Sequence, residues 1–152
     1  MKVEDLLTAS LKHIKSTFCT LKPVDEHLRY GFFRASFIGP WWLRHSAMPS
    51  IALSGLRGWQ GKKFFDALNA TNILKSKNGT VEKLQMSCQR VHSLVDGQQS
   101  IALQYGLKAP LPWRWVVDEL RVLDDDTFLC MTVIDLPLLR NFSFPFLLRR
   151  EV

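Results

Sequence analysis

The sequence predicts a mainly β protein: one domain, residues 1–152, built as a single antiparallel β-barrel or strongly curved sheet with an N-terminal amphipathic helix. Three observations lead there. Beyond Gly58 the chain breaks into short runs rich in β-branched and aromatic residues, separated by turn formers, as in all-β sandwiches and barrels. Two of the separators, Asn78-Gly79 and Asp96-Gly97, are strong hairpin signals, because Asn, Asp and Gly tolerate the positive φ that tight hairpin turns require. Ahead of this region, Val3, Leu7, Leu11, Ile14 and Phe18 recur at three- and four-residue intervals and form one apolar stripe.

The stripe places a helix over 1–19. Leu6 widens its apolar face, Glu4 and Asp5 occupy the first turn, and Lys12, His13 and Lys15 follow, as the helix dipole prefers. Pro23 ends the segment. The barrel is expected over 31–150. Its first strand runs from Phe32 to Ile38, and later ones lie near 58–65, 71–76, 81–94, 98–107, 113–123, 127–135 and 142–150. Between them, Gly39 to Leu56 is irregular and greasy, with Trp41, Trp42, Leu43, Met48, Ile51 and Leu53. Pro40 and Pro49 argue against one regular element there. A loop with a short helix packed on the core is the plainest reading; a lid at a cavity mouth and a membrane-touching loop are the alternatives.

Composition narrows the function classes. With 152 residues and 47% hydrophobic content, the chain suits one self-sufficient core. No apolar run reaches the ~18–20 residues that span a bilayer. Cys19, Cys88 and Cys130 are odd in number and widely spaced, which suits reduced thiols. With no apolar leader at the N-terminus, a cytoplasmic location is expected. The net charge of +6 is compatible with nucleic acid, an anionic membrane or an anionic small molecule. Lys and Arg are scattered, however, and no basic run is interleaved with aromatics, so no nucleic-acid partner is expected.

No phosphate-binding glycine loop, dinucleotide fingerprint or serine elbow is present. His13, His27, His45 and His92 lack paired metal spacing, and there is no Cys-x-x-Cys, so neither metal nor cofactor is expected. Cys88 and His92 lie about 13 Å apart if they share a strand, at ~3.3 Å per residue, too far to form a nucleophile–base pair.

The hairpins predict which side chains share a face. A tight turn at Asp96-Gly97 sets His92 opposite Ile101, Arg90 opposite Leu103 and Cys88 opposite Tyr105. That face is apolar except for Arg90, His92 and the Tyr105 hydroxyl. A three-residue turn at Asp124-Asp125-Asp126 sets Val122 opposite Phe128, Leu120 opposite Cys130, Asp118 opposite Thr132 and Val116 opposite Ile134. Asp118 is then a lone carboxylate on a dry face, and it requires a hydrogen bond, a counter-charge or a proton. Arg90 is the expected partner. Such a pair is read either as structural or as part of a site, and the sequence leaves both open.

Gly58-Trp59-Gln60-Gly61-Lys62-Lys63-Phe64, the Asp118 to Leu129 stretch and the closing Phe144-Pro145-Phe146-Leu147-Leu148-Arg149-Arg150 together resemble the GxWxG-type family of small calycin-like, or lipocalin-like, β-barrel proteins. In that family a Gly-Trp-x-Gly-Lys-x-Phe strand precedes an Asp-x-x-Arg strand that leads into an acidic turn. The naming motif is degenerate: Gly31-Phe32-Phe33-Arg34-Ala35 carries Phe for Trp and Ala for the last Gly. The resemblance implies a lipocalin-like barrel with an internal cavity, and no established activity.

The expected function is binding of a small hydrophobic or amphipathic molecule, including an anion, inside the barrel. Trp59 and Trp115 would supply apolar wall, Arg90 or Lys62 the charge, and Tyr105, His92 and Asp118 hydrogen bonds. The alternatives are acid–base catalysis in the same cavity, with Asp118 or His92 as base and Tyr105 as acid, and a membrane or protein-interaction module using Trp41 and Trp42. A membrane surface is the less favoured partner.

Overall fold

In a computed structural model that describes residues 3–152, eight antiparallel strands form a closed barrel. They are β1 (Gly31–Phe37), β2 (Trp59–Asp66), β3 (Asn69–Ser76), β4 (Gly79–His92), β5 (Gln99–Gln104), β6 (Val116–Asp124), β7 (Thr127–Ile134) and β8 (Ser143–Arg150). Each pairs with the next, and β8 closes on β1. Closure is incomplete at one end: β4 pairs with β5 only over 87–92, and residues 79–86 pair with β3 alone. The mainly β reading and the N-terminal helix hold.

The helix is shorter than expected. A 3-10 turn at Val3–Asp5 is followed by α1 (Leu11–Thr20), and Met1 and Lys2 of the expected helix lie outside the described residues. The break falls at Ser10, whose hydroxyl accepts the His13 N–H at 3.1 Å and caps α1. The stripe is accordingly rearranged: Leu6, Ile14 and Phe18 are fully buried, while Leu7 is partly exposed. These residues pack with Ile38, Leu129, Met131 and Leu147 in a cluster on the outside of the barrel wall. A second, larger cluster fills the barrel interior.

The greasy segment contains a regular helix, α2 (Trp41–Leu53). Pro40 starts it rather than breaking it, since an N-cap needs no N–H and φ of −56° suits the entry. Pro49 lies inside the helix.

The strand directions define two ends. α2 and the connections 77–78, 105–115 and 135–142 form one end, the mouth. Segment 21–30 and the turns 67–68, 93–98 and 125–126 form the other, the floor. The floor is closed. Phe33 and Phe128 stack at 4.5 Å, Arg150 lies over Phe33 and Tyr30, and buried Arg29 donates to the Val24 and Ala67 carbonyls.

The β6–β7 pairing is the expected one, with Asp118 opposite Thr132 and Val116 opposite Ile134. The β4–β5 register is not. Cys88 stands opposite Leu103, Arg90 opposite Ile101 and His92 opposite Gln99. The loop is longer than a two-residue turn because the Ser93 hydroxyl accepts the Val95 and Asp96 N–H groups, and Ser93 N–H reaches the Gln98 carbonyl. The shift of two residues preserves which face each side chain takes.

Candidate functional site

Of the two glycines of the Gly58-Trp59-Gln60-Gly61 stretch, Gly58 immediately precedes β2 and Gly61 lies within it, and both are sterically required. A Cβ on Gly58 would stand 2.6 Å from the Lys75 carbonyl oxygen, and one on Gly61 would stand 2.0 Å from that of Phe33. Between Trp59 and Gly61 the β2–β3 register shifts by one residue. This bulge matters because Trp59 and Lys62 are three positions apart, and strict alternation would send them to opposite faces. With the bulge, both point into the barrel and line the same cavity.

Lys62 is 1% exposed. Its Nζ lies 3.0 Å from Asp118 Oδ2 and donates to Asn72 Oδ1 and the Tyr105 hydroxyl, each at 3.0 Å. The other Asp118 oxygen accepts from Thr132 Oγ1 at 2.7 Å. Asn72 Oδ1 also accepts the Trp59 indole N–H at 3.0 Å, and its Nδ2 donates to Tyr105 at 3.1 Å. The cluster is closely satisfied, as buried polar groups need to be. Burial opposes the charge on Lys62, but the neighbouring Tyr105 and Asp118 oxygens outweigh it, and its pKa is raised. Burial also raises the Tyr105 pKa, against the opposing pull of Lys62, so the phenol stays protonated at neutral pH. Cys130, beside the cluster, is pushed well up by burial and then by the Asp118 charge, which makes it an inert thiol.

Above this polar patch is a cavity of about 340 Å³. Phe37, Trp59, Trp113, Ile134 and Phe146 line it, and α2 covers it with Trp42, Leu43, Ala47 and Ile51. Trp113 is held in place by its indole N–H, which donates to the Ser54 carbonyl at 2.6 Å.

Of the residues singled out in the sequence, Trp59, Lys62, Tyr105 and Asp118 meet at this cavity. Arg90 and His92 do not. The β4 strand runs on past buried Cys88, and both side chains are exposed toward the floor end. The partner of Asp118 is therefore Lys62 rather than Arg90. Trp115 is half-buried and not on the cavity wall; its neighbour Trp113 takes that place. Asn72 and Trp113 were not foreseen. The one hint of Asn72 is an amide side chain next to the apolar pair Ile73-Leu74. Among the described residues, no three His, Cys, Asp or Glu side chains converge as a metal site, and no helix is long and apolar enough to cross a membrane.

No family model matches the chain, and no curated protein matches it. A crystal structure of a protein from Thermomonospora curvata resembles it with a TM-score of 0.71, over 95% of this chain and 90% of that one, at 21% identity. At that identity the likeness concerns the fold alone.

Proposed function

We propose that the barrel binds one compact, largely apolar molecule that presents a neutral hydrogen-bond acceptor to Tyr105. The observation that carries this reading is the weakly held Tyr105 proton. Its oxygen accepts from Lys62 and Asn72, while its own hydrogen has only Asn72 Oδ1 at 3.5 Å, an oxygen already taken by two shorter bonds. A donor of this kind, at the base of an apolar cavity, is a natural orienting group for a ligand. At ~30 Å³ per water-sized group, the cavity holds on the order of a dozen non-hydrogen atoms. Asp118 already balances the Lys62 charge, which removes the main reason to expect an anion. The acid–base alternative has less support, because His92 is exposed and Asp118 is engaged by Lys62 and Thr132.

Native mass spectrometry of freshly purified protein should reveal a small co-purifying molecule. In titrations, methyl naphthyl ketone should bind more tightly than naphthoate, its anionic counterpart of similar shape. Tyr105→Phe should weaken the ketone by roughly tenfold, the scale of one net hydrogen bond. The reading fails if naphthoate binds better, or if nothing co-purifies and neither probe binds.

A further inference from the structure

The two ends of the barrel differ in charge and in exposed apolar surface. At the mouth, Trp41 is 67% exposed, Leu107 87%, Leu138 78% and Phe142 61%. They come from α2 and two separate connections, so they ring the opening rather than form one strip. Around them stand the exposed cations Arg57, Lys77, Lys108 and Arg114, while Arg140 pairs with Asp135 at 3.5 Å. The floor end carries Asp66, Asp96, Asp124, Asp125 and Asp126, but Arg121 pairs with Asp96 and Arg150 with Asp126, so it presents no comparable set of unpaired cations beside apolar side chains.

An apolar collar of this extent marks a contact surface. A second copy set mouth to mouth would bring the cationic rim of Arg57, Lys77 and Lys108 against the same rim of the other copy. A partner strand would dock on a free sheet edge, and the one on β4 over 79–86 carries none of these apolar residues; a partner helix needs a groove rather than a ring of protrusions. A fluid, anionic bilayer surface accepts scattered protrusions and rewards the cations beside them. We propose that the mouth docks on anionic lipid bilayers, with Trp41, Leu107 and Leu138 in the interfacial layer and Arg57, Lys77 and Lys108 against lipid phosphates. The floor then faces away from the membrane. No cavity ligand enters this argument, so it stands or falls apart from the binding reading.

The test is co-sedimentation of the full chain with vesicles of phosphatidylcholine and phosphatidylserine in equal parts. Binding is expected there and not to phosphatidylcholine alone, and it should weaken at ~0.15 M salt. The triple variant Arg57→Gln, Lys77→Gln, Lys108→Gln should bind about a hundredfold more weakly, at about fivefold per cation. Trp41→Ala with Leu107→Gln and Leu138→Gln should also release the protein. None of these six residues lines the cavity, and circular dichroism checks that each variant is folded. The proposal is overturned by absence of binding to the anionic vesicles, or by undiminished binding of either folded variant. It is also overturned by a dimer in sedimentation velocity that the collar variants dissolve, which would make the collar a self-interface.

Discussion

Asp118 and Arg121 lie three positions apart on β6, and the strand turns the first into the barrel and the second out of it. Each belongs to a buried ion pair. Arg121 grips Asp96 through both Nη atoms at 2.6 and 2.7 Å, donates to the Phe18 carbonyl at 2.9 Å and lies 4.2 Å from the Phe18 ring centroid. It ties α1 and the β4–β5 loop to the wall, and its surroundings are supplied by its own chain. Lys62 and Asp118 are as deeply buried, yet they line a cavity. Burial of charge is therefore not in itself a sign of a site. What separates the two pairs is whether one side looks onto chain or onto space.

The largest effect that can break this contrast is expected at Lys62. Lys62→Met leaves the Asp118 carboxylate buried with only Thr132, and should cost about 3–5 kcal/mol in urea unfolding. Adding Asp118→Asn should recover most of that loss; without recovery, the stranded charge is not the cause. Arg121→Met should cost about 3 kcal/mol by the same logic. Here, however, amide exchange should quicken in α1 while affinity for methyl naphthyl ketone stays unchanged. If affinity falls with stability, the two pairs are not separate devices.

Acid provides a subtler discriminator. Hydrogen bonds from Arg121 hold the Asp96 pKa down at about 2, against partial desolvation. A carboxylate with a depressed folded pKa stabilises above its unfolded value of ~3.9, and that contribution is lost as pH falls toward 2. Stability measured between pH ~4 and 2 should fall, and the slope should flatten in Arg121→Met. The smallest effect belongs to Ser10→Ala, about 1 kcal/mol, confined to α1 by loss of its cap. An effect on cavity affinity from that change would tie α1 to the site and blur the contrast.

The strands were readable because each carries its own alternation and its own turn. The β6–β7 register was readable for the same reason, since the aspartate run localises the bend. The β4–β5 register was not, because it depends on Ser93 capturing backbone N–H groups and on Arg121 claiming Asp96 from another strand. The site was half readable. Asp118 and Tyr105 follow from strand parity, but the partnership with Lys62 depends on a bulge that parity counting does not see. Asn72, Thr132, Tyr105, Asp118 and Lys62 come from separate parts of the barrel, so no local pattern announces their meeting. The expectation of a loop with a short helix before Leu56 placed a helix there but made it too short, because it treated both prolines as breakers, when the first opens the helix.

Pro49 has a kinetic consequence. It lacks an N–H for the His45 carbonyl, so the helix over the cavity lacks one rung of its own ladder. A cover weakened in this way lowers the barrier to opening without touching the ligand. Pro49→Ala should then lengthen the residence time of a bound molecule and slow its entry by the same factor, leaving the dissociation constant nearly unchanged. Stopped-flow exchange of methyl naphthyl ketone measures both rates, and a change in only one of them would show that α2 packs differently in the free and the bound protein.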